Sequence, residues 1–227
     1  DFSGLTTSLK KVRELRPDCP INLSEYGVGI NPFCHVWNQA DAVRDKEDDS
    51  RHYEEYGNRL HESYVRQTKA MPWLHFPSDG ALFAFPVANR QEGYMDSEDG
   101  VKFVRNNDRK YMNDKGLVTR DRQTRKDVFY LYKSLWNKDE TTVHITSRRL
   151  KSFPAGQDLR IKVYSNAKYL TLYQNGRLID RMVSPEESSG VVWTFPAVRL
   201  KTAEDPFKVV ANDGTTDQIV PRKARKP

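Results

Sequence analysis

Two periodicities divide the chain. In the first part, apolar and aromatic residues fall three and four apart: Leu5, Leu9, Val12 and Leu15 form one stripe, and Tyr53, Tyr56, Leu60 and Tyr64, with Gln67, another. That spacing predicts helices. Pro17 stops the first; the second runs from about residue 49 to residue 70, with Pro72 behind it. Two short apolar runs, residues 21–27 opened by Pro20 and residues 81–85, read as buried strands. Helix, strand, helix, strand with short joints predicts parallel α/β layering. Two strands can neither close nor cover a parallel sheet. The first part, 1–138, therefore reads as a portion of a larger α/β body.

From residue 139 the period changes. Short segments at 142–146, 159–164, 168–173, 177–180, 191–195 and 207–211 are rich in β-branched and aromatic residues, and Leu159, Ile161 and Val163 alternate with polar neighbours. Asn175-Gly176 between two of them is a two-residue hairpin signal, because both positions of that turn need positive φ. Asn212-Asp-Gly214 marks a second turn. Residues 139–227 thus read as an all-β sandwich. Ahead of it, Asp127-Val-Phe-Tyr-Leu-Tyr-Lys-Ser-Leu-Trp136 reads as a helix that docks one part on the other.

Composition narrows the class. With 37% hydrophobic and 30% charged residues, the chain is polar but far from the disordered range. No apolar run is long enough for a membrane helix. The net charge of +6 raises nucleic acid as a partner, but Lys and Arg alternate with Asp and Glu through most of the chain. The one dense basic run is the tail Pro221-Arg-Lys-Ala-Arg-Lys-Pro227, and no nucleic-acid-binding motif appears, so no nucleic-acid partner is expected. The histidines (His35, His52, His61, His75 and His144) lack metal-ligand spacing, so no metal or other cofactor is expected either. Cys19 and Cys34 are open to pairing or to remaining thiols.

Glu25 is the residue that calls for chemistry. In Ile21-Asn-Leu-Ser-Glu-Tyr-Gly27 an apolar run ends abruptly in a carboxylate, which a buried strand excludes unless it is used. At the C-terminal tip of a strand in a (β/α)8 barrel, that is where catalytic groups sit. The plain alternative is a strand-end Glu bonded to nearby amides.

Three stretches carry a resemblance: Pro20-Ile-Asn-Leu-Ser-Glu-Tyr-Gly27, Asn113-Asp-Lys-Gly-Leu-Val-Thr-Arg-Asp-Arg122 and Lys126-Asp-Val-Phe-Tyr-Leu-Tyr-Lys-Ser-Leu-Trp136. In order and spacing the chain resembles the C-terminal part of glycoside hydrolase family 2, the β-galactosidases, β-glucuronidases and β-mannosidases. The resemblance implies the C-terminal portion of a (β/α)8 TIM barrel in 1–138 and an immunoglobulin-like β-sandwich in 139–227. It also implies a retaining exo-β-glycosidase with Glu25 as nucleophile, forming a glycosyl-enzyme that water hydrolyses. The family's acid/base is a Glu after an Asn. No Asn-Glu pair occurs here, so the acid is expected in a missing N-terminal part of the same enzyme.

Around Glu25, Tyr26 is expected either to touch the carboxylate or to pack, and His35 and Trp37 follow on a loop over the mouth, Trp37 as a sugar-stacking platform or a loop cover. Phe85 stands where the family has a Trp, with Pro86 removing a donor beside it. Residues 96–111 are an insert by comparison with shorter relatives, and the resemblance makes them a candidate specificity loop. Asn113 and Lys115 match the Asn-x-Lys that holds a sugar carboxylate in glucuronidases; the alternative is a structural turn in which Asp114 pairs Lys115 or Arg120. Arg120-Asp-Arg122 and Arg125-Lys-Asp127 read as a solvated or inter-domain network. The expectation is a β-galactosidase acting on an oligosaccharide or polysaccharide, with a β-glucuronidase or other uronidase as the alternative. A non-catalytic carbohydrate-binding or structural module is the rival from another class. A periplasmic or secreted setting and a homo-oligomer complete the expectations.

Overall fold

The computed structural model describes residues 4–30, 32, 53–75, 80–87, 112–149, 158–199 and 206–220. It divides into two compact units. Up to Lys126 the described residues form the first; from Asp127 they form the second.

In the first unit, α1 (Gly4–Leu15) and α2 (Glu54–Lys69) are the two helices the spacing predicts. They are tied by Gln67, whose Oε1 accepts the Thr6 amide at 2.9 Å and the Thr6 hydroxyl at 2.7 Å. Strands are minimal. β1 (Ile21–Asn22) pairs in parallel with β2 (Leu74–His75), and β3 (Phe85–Pro86) pairs antiparallel with β4 (Met112–Asn113). The strand expected over 21–27 is thus two residues long, and that expected over 81–85 is ladder-paired only from Phe85, with an isolated parallel bridge from Phe83 to Val118. Backbone bonds from Leu117, Val118 and Ala84 nevertheless lace 81–84 to 117–118. Gly116 makes this possible: a Cβ there would lie 2.0 Å from the Ala84 nitrogen.

The second unit opens with α3 (Asp127–Trp136), as the sequence predicts, and continues as a β-sandwich. One sheet has the order β5-β6-β9, with β5 (Val143–Ile145), β6 (Asp158–Ser165) and β9 (Val192–Arg199). The other has the order β11-β10-β7-β8, with β7 (Leu170–Gln174), β8 (Arg177–Met182), β10 (Phe207–Ala211) and β11 (Thr216–Ile219). Alternation drives it: Leu159, Ile161 and Val163 from one sheet and Leu170, Leu172, Phe207 and Val209 from the other enter one buried cluster around Trp193 and Phe195. The register slips by one residue between Leu159 and Ile161, opposite the stretch holding Pro196, which has no amide to give a ladder. Asn175 (φ 48°) and Gly176 (φ 76°) form the predicted hairpin turn between β7 and β8.

Two charges are buried. Lys126 and Asp127 have no exposed surface, which removes the solvated half of the expectation for this run. In the second unit, the Asp127 carboxylate accepts His144 Nε2 (2.8 Å), the Ser147 amide (2.8 Å) and the Arg149 guanidinium (3.2 Å). Burial alone would raise its pKa; the His144 hydrogen bond, the Arg149 charge and the Ser147 amide override it and hold the carboxyl well below its usual range. Tyr130 stacks on His144 with ring centres 3.8 Å apart. α3 is thereby fastened to β5 through its first residue, where the helix dipole also favours a carboxylate.

Candidate active site

Glu25 lies three residues beyond β1 and is exposed. Its carboxylate rests against Gly80: a Cβ at that glycine would stand 3.2 Å from Glu25 Oε1 and 3.3 Å from Cγ. The Gly80 amide donates to the Tyr26 carbonyl at 2.7 Å, so the two backbones are clamped at the point where the carboxylate passes. The Tyr26 ring turns toward α2, with centres 5.1 Å from Tyr64 and 5.7 Å from His61. His61 is fully buried, and burial first, then the Lys126 charge, push its pKa down to about 3. It is a neutral packing partner at neutral pH.

After Tyr26 the chain turns through Gly27 (φ 131°), a conformation only glycine adopts without strain, and Ile30 then buries itself on α2. A Cβ on Gly57 would lie 2.1 Å from Ile30 Cδ1, so that helix glycine is the socket for the loop.

The second group of expected residues is brought together by β3 and β4. Phe85 faces Asn113 across the ladder and is exposed, whereas Asn113 is buried. Asn113 Oδ1 accepts the Lys115 amide at 2.9 Å, an Asx turn that leaves Lys115 half-buried. The Asp114 carbonyl accepts the Ile30 amide at 3.2 Å, which links this turn to the loop that follows Glu25. Lys126 Nζ donates to the same carbonyl. His35, Trp37 and residues 96–111 lie outside the described residues. So does Cys34; Cys19 carries a free thiol. Among the described residues there is no group of His, Cys, Asp and Glu able to hold a metal ion, and no helix long and apolar enough to cross a membrane.

Sequence reasoning missed Gly80 and Lys126. Gly80 shows itself only as a glycine just ahead of the apolar run 81–85. Lys126, flanked by Arg125 and Asp127, looks like a surface charge.

An exposed carboxylate just past a parallel strand pair lies on the chain segment that Ile30 ties to the Asn113–Lys115 turn. The chain resembles a part of the β-glycosidases of glycoside hydrolase family 2. In sequence it is similar to a β-glucuronidase of Bacteroides fragilis, 28% identical over 206 residues, which are 90% of this chain and 26% of that enzyme. In structure it is similar to the FMN-binding β-glucuronidase of Facaelibacterium prausnitzii L2-6, with a TM-score of 0.71 at 31% identity, covering 98% of this chain and 30% of that one. A Bacteroides fragilis protein, provisionally a β-galactosidase, shares the fold with a TM-score of 0.74 at 23% identity, over 97% of this chain and 30% of that one. No family model matches the chain. The chain spans about a quarter to a third of the length of these relatives.

Proposed function

We propose that these residues serve a retaining exo-β-glycosidase in which Glu25 is the nucleophile. The observation that supports this reading is the placement of Glu25: exposed, just beyond a parallel strand pair, with its carboxylate passing close to Gly80. In this reading the first unit is part of a (β/α)8 barrel and the second is an immunoglobulin-like sandwich. Glu25 attacks the anomeric carbon; the leaving oxygen takes its proton from a second carboxylic acid about 5–5.5 Å away, supplied from outside these 227 residues. Water then releases the sugar from the ester on Glu25.

For the sugar, one observation favours a glucuronide over the galactoside expected from sequence: the named relatives above include two β-glucuronidases. In this reading the ammonium of Lys115, half-buried on the Asn113 turn, meets the substrate carboxylate. The test is turnover of nitrophenyl glucuronide and galactoside by full-length protein, with and without Glu25→Gln. The expected result is glucuronide hydrolysis that the substitution cuts by about 10⁴-fold or more, as the loss of a nucleophile that acts with its partner does. Unchanged turnover in Glu25→Gln removes the nucleophile, and a non-catalytic module then becomes the better reading.

A further inference from the structure

A lysine with no exposed surface is costly to bury, and the structure shows what Lys126 holds. Its amide donates to the Leu117 carbonyl at 2.9 Å, and its ammonium donates to the Asp114 carbonyl. The two ends of the four-residue stretch from Asp114 to Leu117 therefore hang on one residue. Inside that stretch lie Lys115 and Gly116, and Gly116 sits against the Ala84 backbone with no room for a side chain. The Asp114 carbonyl takes a second donor, the Ile30 amide, from the loop that carries Glu25 at its other end. Lys126 also stands close enough to α2 for its charge to bear on His61. Lys126 has no exposed surface and Asp114 is buried, so water has little access to the clamp.

We propose that Lys126 is a positioning residue that acts through Lys115: its buried ammonium fixes the Asp114 carbonyl, and so sets where the Lys115 side chain meets the carboxylate of a glucuronide. The inference rests on the uronidase reading above and names the residue on which its selectivity depends. Lys126 itself touches no substrate. Its removal takes one of two donors from the Asp114 carbonyl and loosens that end of the stretch while Lys115 keeps its charge, so the loss falls on substrates that carry a carboxylate.

The experiment is a double-mutant cycle of Lys126→Met and Lys115→Met in full-length protein, read as kcat/KM for nitrophenyl glucuronide and for nitrophenyl galactoside. The expected result for Lys126→Met is a loss at least about tenfold greater on the glucuronide than on the galactoside, the scale set by a misplacement of around an ångström. In the Lys115→Met background, Lys126→Met adds nothing to that difference. Equal losses on both substrates, or selectivity losses that simply add, overturn the inference and leave a lysine that only stabilises the fold. Wild-type protein that cleaves the galactoside and not the glucuronide overturns the uronidase reading instead, and the inference with it. Where Lys126→Met does not fold, reductive methylation of native wild-type protein decides: Lys126 stays unmodified until unfolding, whereas labelling at the rate of Lys133 or Lys168 shows that the clamp does not exist.

Discussion

At Gly80 a single hydrogen in place of a methyl leaves room for the Glu25 carboxylate. An added Cβ would sit 3.2 Å from both Glu25 Oε1 and the Tyr26 carbonyl, so the carboxylate, being the free end, must give by a few tenths of an ångström. Gly80→Ala in full-length protein is therefore expected to lower kcat by about tenfold, since small misplacement of a reacting group is expensive. Its thermal midpoint is expected to fall by only a few degrees, because the methyl also crowds the Tyr26 carbonyl but creates neither a cavity nor a buried charge. Measured kcat and thermal unfolding check both. Glu25 itself was legible in the sequence because a carboxylate ends an apolar run. Gly80 was not: what makes it matter is a neighbour 55 positions away. Lys126 was hidden for a different reason, since the charged residues around it mimic a solvated face.

Among the elements, α3 shows how a helix start is fixed by chemistry that sequence pattern conveys only in part. Its length and type follow from apolar spacing, and the structure returns the expected residues. The partner of Asp127 is another matter, because His144 comes from β5 and is recognised only once the strand lies beside the helix. Burial first, and the Arg148 charge, lower the His144 pKa against the pull of Asp127, so the ring is a neutral donor. An unfolded imidazole takes up a proton near pH 6.5 that the folded one refuses, so stability is full above that value and falls as pH drops below it. His61 behaves alike, with a window from about 6.5 down to about 3. Urea unfolding of the wild type is expected to show stability falling between pH 6.5 and 5. His144→Gln keeps a donor at Nε2 and removes one imidazole, flattening that slope by up to about 1.4 kcal/mol per pH unit. An unchanged slope would contradict a neutral buried His144. The shortest elements were beyond the sequence: β2 and β4 are two residues each, too short to show a period. β11 is polar at most positions, and its place comes from its register with β10.

In the molecule as a whole, the two units differ in how their described strands pair. The second joins three- and four-stranded sheets over a single apolar cluster. In the first, the described strands pair only two by two. The sandwich was readable in the sequence because alternation and turn residues are local; the surroundings of Glu25 depend on chain segments that meet only in three dimensions. The measurement that bears most directly on the whole account is covalent trapping. Full-length protein is inactivated with a fluorosugar whose slow hydrolysis lets a glycosyl-enzyme accumulate, then digested and mapped by mass spectrometry. The account predicts one sugar ester per chain, on Glu25. Inactivation with the sugar on a different carboxylate, leaving Glu25 unmodified, would contradict it.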